Sequence, residues 1–373
     1  MHKSKTVVVG GGLLGMTIAY GLALKGQQVC VLDEGDSAFR ASRGNFGLIW
    51  VQSKGYGMTP YAHWTRQAAA LWPELAGKLL ADTGINVHLR QNGGYQLCLS
   101  QAELTEEVHR LQWLESALGD YPFEVLEPNE LQKRLPRIGP DVVGACFSPM
   151  DGHVNPLKLF SALHHACQAR GVHVLHNYAV DGIEAFGNDF LITSNARELR
   201  CEQLILAAGL GNKTLGAHLG HDVPVAPSRG QILITERIEP FLDIPTSTVR
   251  QTDEGTVQLG DSAESVGFDD RTSTAVIADI ADRAVRSFPC LANVNLVRAW
   301  GALRVMTPDG GPIYQELSHA PGAHLVSCHS GVTLAAMHAL RLAPSIATGT
   351  ALPELASFGL GRFSANAEVH HAH

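Results

Sequence analysis

The sequence predicts an α/β chain, α+β overall, in which a parallel nucleotide-binding core is interrupted by a discontinuous antiparallel domain. Three observations carry this. The apolar run Thr6-Val7-Val8-Val9 leads into Gly10-Gly11-Gly12-Leu13-Leu14-Gly15, and a second run, Gln28-Val29-Cys30-Val31-Leu32, ends in Asp33. That is strand, G-x-G-x-x-G, helix, then strand and acid about twenty residues on, the Rossmann-like fingerprint with its full context. Residues 203–209 read as another buried strand running into small residues, and residues 223–236 and 247–260 alternate as antiparallel strands do.

Each residue of the fingerprint has a physical task. Gly10 permits the tight turn off the strand, and Gly12 lets a pyrophosphate approach the backbone. Leu14 lies in the first helical turn, and Gly15 lets the helix lie close to the sheet. The helix N-terminus supplies N–H groups and partial positive charge to phosphates. Asp33, followed by Glu34, is placed to accept hydrogen bonds from ribose hydroxyls. Hydropathy alone offers a signal peptide or membrane anchor, because residues 6–24 carry no charge and follow two lysines. Three consecutive glycines, and the strand and acid that follow, argue against it.

Composition narrows the classes. At 373 residues there is length for two domains or one large one. The net charge of −8 and the lack of a basic block make nucleic acid a poor partner. Cys30, Cys98, Cys146, Cys167, Cys201, Cys290 and Cys328 are scattered, odd in number and without C-x-x-C, so no metal or iron–sulfur site and no disulfide framework is expected. The expected compartment is the reducing cytoplasm, with no transmembrane segment. The tail bearing His370, His371 and His373 reads as a disordered end.

Further along, a glycine-rich loop spans residues 41–47 and a helix is expected over 61–80. Asn155 and Pro156 fit the N-cap and first position of a helix whose Leu159, Leu163 and Ala166 share one face. Strands are expected at 172–175, 178–183 and 297–304, and a helix at 273–288. A last helix begins near Gly331 and carries Leu334, Ala335, His338 and Leu342. The chain reads as leaving its first domain and returning to it twice.

Seven motifs in order, GGGLLG, ASRGNFG, DGHVNPLKLF, LILAAG, PSRGQILITE, WGALRVMTPDGGPI and CHSGVTLA, resemble the FAD-dependent amino-acid oxidases and dehydrogenases, the family of D-amino-acid, glycine and sarcosine oxidases. PSRGQILITER, GDSAESVGFDDRTST and RGNFGLIWVQSKG resemble catalytic beta subunits of its heteromeric bacterial members: D-hydroxyproline dehydrogenase, opine oxidase and hydrogen cyanide synthase. The resemblance implies residues 1–85, 145–225 and 306–363 as an FAD-binding domain, 86–144 and 226–305 as a substrate domain, and 364–373 as tail.

It also implies chemistry: an amino acid or secondary amino acid, D-hydroxyproline- or opine-like, is oxidised at carbon by hydride transfer to flavin, giving an imine that hydrolyses. Arg304 in WGALR would hold the substrate carboxylate as a bidentate pair. Val305 stands where relatives have proline. His329 would face flavin or substrate, or be structural. Ser330, Gly331, Val332 and Thr333 would meet the flavin pyrimidine edge. Ser42, Arg43, Asn45 and Gly47 would line the pyrophosphate and ring entrance, Ala208 and Gly209 would pass the cofactor, and Val180 would contact adenine by backbone. Trp50, Lys54, Tyr95 and Gln231 are candidate substrate-pocket residues. With no cysteine near Ala302, where some members tether flavin, a non-covalent FAD is expected. Partner subunits would carry electrons onward, with an FMN at a subunit interface and peripheral membrane association through those partners both open. The alternatives are a self-contained oxidase using oxygen, a non-catalytic flavin subunit, and an NAD-dependent dehydrogenase.

Overall fold

The structure, a computed structural model, describes residues 2–35, 41–42, 44–187, 189–195, 197–260 and 262–364. Arg43 and the histidine-rich tail from residue 365 on lie outside the described residues.

The first unit folds as its sequence dictates. Strand β1 (His2–Val9) passes through Gly10–Gly12 into helix α1 (Leu13–Leu24), which returns to β2 (Val29–Leu32). Gly10 has φ +112°, and a Cβ there would sit 2.5 Å from the Ala207 carbonyl oxygen, so only glycine serves. Helix α1 is apolar nearly all round because it is covered on every side. A Cβ at Gly21 would lie 2.3 Å from the Ala339 oxygen, so the C-terminal helix presses directly on its backbone.

A short strand β3 (Leu48–Ile49) leads by a turn to α2 (Thr59–Thr83), a longer helix than the sequence pattern suggests. Its Trp64 and Trp72 are almost fully buried. Then come β4 (Gly94–Cys98), α3 (Gln101–Leu118), β5 (Glu124–Leu126), α4 (Pro128–Arg134) and β6 (Gly144–Ser148). Strand β7 (Gly152–His153) pairs with β3 and precedes α5 (Pro156–Ala169). As expected, Asn155 caps α5, its Oδ1 accepting from the N–H groups of Leu157 and Lys158.

Strands β8 (His173–Leu175), β9 (Gly182–Phe186), β10 (Asp189–Ser194) and β11 (Arg197–Leu206) follow, then α6 (Asn212–His218). The strand expected over 178–183 starts only at Gly182, so Val180 lies in the extended approach to β9. The remaining elements are β12 (Ala226–Arg237), β13 (Val249–Gln251), β14 (Thr256–Leu259), α7 (Thr274–Ser287), β15 (Leu296–Met306), β16 (Ile313–Glu316) and β17 (Ala323–Ser327). The last helix does not begin at Gly331. Residues 331–334 form a turn, α8 (Ala335–Met337) begins after it, and the helix continues through a π-helical His338–Leu342 into α9 (Ala343–Thr348). The chain closes with α10 (Gly361–Ser364).

The main sheet runs β16-β17-β11-β1-β2-β8, with β10 and β9 continuing from β11. Strands β17, β11, β1, β2 and β8 are mutually parallel. The antiparallel portion comprises β13-β14-β12-β15 and β4-β6-β5. These two sheets share one core, with Tyr95, Leu97 and Leu126 packing among Leu233, Val249 and Ile280. The chain therefore returns to the main sheet twice. No helix of the described residues is long and apolar enough to cross a membrane.

Candidate active site

The carboxyl ends of the parallel strands converge on one crevice, the place where open α/β sheets bind ligands. A cavity of about 400 Å³ is lined there by Gly10, Gly11, Gly12, Leu14, Asp33, Glu34, Ser42 and Asn45, and by Val180, Ala208 and Gly209. Helix α1 aims its N-terminus into it. Two amides at its entrance are already taken: Gly11 N donates to Asp33 Oδ2 at 2.9 Å and Leu13 N to Ser42 Oγ at 2.9 Å. Asp33 Oδ1 also accepts from Gly35 N, so this carboxylate braces two backbone turns while lining the cavity.

A dinucleotide fits this cradle. At Gly331 an added Cβ would meet only Leu13 Cδ2 at 3.6 Å, so the protein leaves room there, while at Gly12 it would crowd only the Ser42 side chain, 2.9 Å away, and no backbone. Two expected residues serve the frame instead. Gly15 lies under Gly10, where a Cβ would sit 1.9 Å from its oxygen. Gly47, at φ +86°, packs on the Val154 carbonyl and lines neither cavity.

A second cavity, about 510 Å³, adjoins the first. The two share Ala41, Asn45, Val305, Cys328, His329 and Gly331 as walls. Trp50, Lys54, Arg304, Ser330, Val332 and Thr333 line the second. The 330–333 turn is tightly braced. Ser330 Oγ accepts from Tyr61 OH, Thr333 Oγ1 accepts from Trp50 N, and Trp72 Nε1 donates to the Val332 and Thr333 carbonyls. Arg304, on β15, donates to the Ser262 carbonyl. Gly230, on neighbouring β12, makes room for it, since a Cβ there would fall 2.6 Å from the guanidinium carbon.

The electrostatics of this cavity are cationic. Among the described residues, Lys54, Arg110 and Arg304 line it against one carboxylate, Glu107. His329 is held well below the usual histidine range by burial, then by Lys54 and Arg304 beside it. It is a neutral imidazole, able to donate or accept a hydrogen bond but a weak base. Burial pushes the Cys328 thiol up to about 12. Burial also raises Glu107, whose carboxylate accepts from Ser53 Oγ.

One expected pocket residue is corrected. Tyr95 is absent from the cavity wall; it packs on Phe147 with ring centroids 4.9 Å apart, in the core under the sheet. Side chains alternate along a strand, and on β4 it is the next residue, Gln96, that faces the cavity. Gln231 does line the cavity, but its amide is committed: Nε2 donates to Glu264 and Oε1 accepts from Ser273 N. Sequence reasoning missed Gln52, Ser53, Glu107 and Arg110, which come from the turn after β3 and from α3. Gln52 and Ser53 stand inside the motif RGNFGLIWVQSKG; nothing local marks Glu107 or Arg110.

The profile of the family described as DAO, FAD dependent oxidoreductase, matches residues 5–344. The chain belongs to this FAD-dependent oxidoreductase family. It is 42% identical over 371 residues to an opine oxidase subunit of Agrobacterium tumefaciens (strain Ach5), covering 99% of this chain and 100% of that one. It is 42% identical to the corresponding opine oxidase subunit of Rhizobium meliloti, over 98% of this chain and 99% of the relative. The crystal structure of glycine oxidase from Geobacillus kaustophilus superposes with a TM-score of 0.88 at 23% identity, covering 99% and 100% of the two chains, and shares the fold. The protein is thus an FAD-dependent oxidoreductase acting on amine-bearing substrates, on the Rossmann-like core and antiparallel domain that the motifs imply.

Proposed function

We infer that this chain is the catalytic subunit of a heteromeric dehydrogenase that oxidises a secondary amino acid, opine-like or D-hydroxyproline-like. The observation that carries the reading is the shared wall. A cationic pocket built around Arg304 opens against the nucleotide cradle across His329 and Gly331. Bound FAD would supply the acceptor for a hydride leaving the substrate carbon; the amine proton would pass to solvent, and water would hydrolyse the imine.

The residues divide the work of holding these groups. The α1 N-terminus with Gly12 and Ser42 takes the pyrophosphate, and Asp33 and Glu34 take the ribose. Val180, Ala208 and Gly209 flank the nucleotide. The turn at residues 330–333 meets the flavin pyrimidine edge, Asn45 the ring entrance. The buried thiol of Cys328, held protonated, favours a non-covalent flavin although it lies in the wall. Arg304 takes the α-carboxylate. The excess of cations favours the opine-like class, because Lys54 offers a second site for a second carboxylate. The resemblance to relatives named as subunits of opine oxidase supports partner chains, which would take the electrons onward, and the scattered free cysteines support a reducing, cytoplasmic setting.

The test is a dye-linked screen on the purified flavoprotein under anaerobic conditions. N-carboxyalkyl amino acids with two carboxylates should reduce the flavin faster than D-hydroxyproline. No reduction by any secondary amino acid would overturn the reading. Fast reoxidation by air of a chain that runs alone on sizing would assign a self-contained oxidase instead.

A further inference from the structure

Gln52 sits in the turn after β3, between Trp50 and Lys54 of the cationic cavity, and is fully buried. Its side-chain amide is oriented by two acceptors on one side. Nε2 donates to Asp151 Oδ2 at 2.5 Å and to the Gly94 carbonyl at 3.1 Å. The Gly94 carbonyl can only accept, so the NH2 end is fixed there and the carbonyl end is directed away. Asp151 is itself fully buried, and its other oxygen accepts from the Val51 and Gln52 backbone N–H groups. One carboxylate therefore holds both the main chain and the side chain of Gln52.

The Gln52 Oε1 atom has no donor among the described residues. Folded proteins seldom leave a buried acceptor unsatisfied, and one that stands out asks for an explanation such as strain, a catalytic role or a bound group. Resting on the reading of this cavity as the amine site, we propose that Gln52 Oε1 accepts the hydrogen bond of the substrate's N–H, with Asp151 as the positioning residue that fixes the amide. The chemistry suits an amide. Hydride leaves carbon when the nitrogen lone pair is free to form the C=N bond. An amide oxygen accepts an N–H without removing its proton and leaves that lone pair unengaged. With Arg304 on the carboxylate, the substrate is held at two points on either side of the reacting carbon.

Two planar acids test this without turnover. Pyrrole-2-carboxylate carries an N–H where 2-furoate carries a ring oxygen, and neither has a hydrogen to give. Binding to the FAD-loaded protein is followed by calorimetry and by perturbation of the flavin spectrum. The wild type should bind pyrrole-2-carboxylate at least ten-fold more tightly than 2-furoate. Gln52→Met should bring the ratio close to one by weakening the pyrrole acid alone. Arg304→Ala should weaken both equally. Asp151→Asn, which lets the amide reverse, should lower the ratio with the acceptor residue still present. A ratio near one in the wild type, or an unchanged ratio in folded Gln52→Met, overturns the proposal. Failure of both acids to bind the wild type overturns instead the reading of the cavity as a carboxylate site, and the proposal with it.

Discussion

Arg304 is where a single side chain sets affinity. Guanidinium hydrogen bonds to a carboxylate contribute roughly 1.5–3 kcal/mol each. Arg304→Ala should therefore raise KM by about ten- to several-hundred-fold with the flavin still bound, and Arg304→Lys should recover only part, because a point charge cannot replace the planar fork. Steady-state kinetics with the best substrate decide this; unchanged kinetics would move the carboxylate elsewhere. Asp151 gives a pH prediction. Burial raises its carboxyl to about 7, against the lowering effect of its hydrogen bonds. The folded state therefore binds the proton more tightly than the unfolded chain. Its contribution to stability is full below about pH 4 and is lost as pH rises through about 7. Between pH 5 and 8 the urea midpoint of Asp151→Asn should gain on that of the wild type. Buried His338 and His153, both lowered to about 3, contribute in the opposite sense, and the comparison between the two proteins cancels them. An equal difference at both pH values would show an ordinary carboxyl.

At the scale of elements, the nucleotide cradle separates glycines that the fold needs from one that only a ligand needs. Gly15→Ala would drive a Cβ into the Gly10 carbonyl where α1 crosses β1. Backbone cannot retreat there without moving the helix, so this variant should lose soluble, folded protein. Gly331→Ala meets only a leucine methyl at ordinary contact distance. It should fold with a native circular dichroism spectrum and yet bind FAD more weakly, and a bulkier residue should abolish binding. Full flavin occupancy in Gly331→Ala and its bulkier variants would remove the 330–333 turn from the cofactor site. The C-terminal helix that follows is anchored by its π-helical turn, where His338 Nε2 and Tyr314 OH are hydrogen-bonded at 2.8 Å and Tyr314 OH accepts from Trp64 Nε1. That network fixes the turn against α2.

Across the whole molecule, the two cavities are walled by both parts of the fold. Leu303 and Val305 of β15 face the same space as Gly11 and Ala208 of the parallel core. Fully buried Arg250 adds a second tie: it donates to Gln258, whose Nε2 donates to the Asn45 carbonyl at the junction of the cavities. FAD should therefore bind across the seam and stabilise it. At a hundred times Kd, binding to the folded state alone contributes about 2.7 kcal/mol. Adding FAD to the apoprotein should raise Tm and slow proteolysis within residues 41–57; protection confined to the parallel core would show that the antiparallel domain does not close on the cofactor.

Local rules carry the nucleotide site in the sequence itself. A tight turn, a close approach and a helix N-terminus are properties of a few consecutive residues, so GGGLLG with Asp33 could be read directly. The same holds for the Asn155 cap and for the alternation of β12 and β14. Strand phase was less legible. Tyr95 and Gln96 are neighbours, and only the packing of β4 on Phe147 decides which one meets the cavity. The last helix begins later than its apolar spacing implies because Trp72 and Tyr61, far away in sequence, hold residues 330–333 as a turn. Gln231, whose amide Glu264 and Ser273 claim, is settled in the same way. The sequence by itself determined the fold class, the cofactor and the family, since these rest on short-range geometry and ordered motifs. Tertiary structure alone decided which charges share the pocket, and that Asp151 reaches back about a hundred residues to orient Gln52, because hydrogen bonds between distant segments leave no periodicity to read.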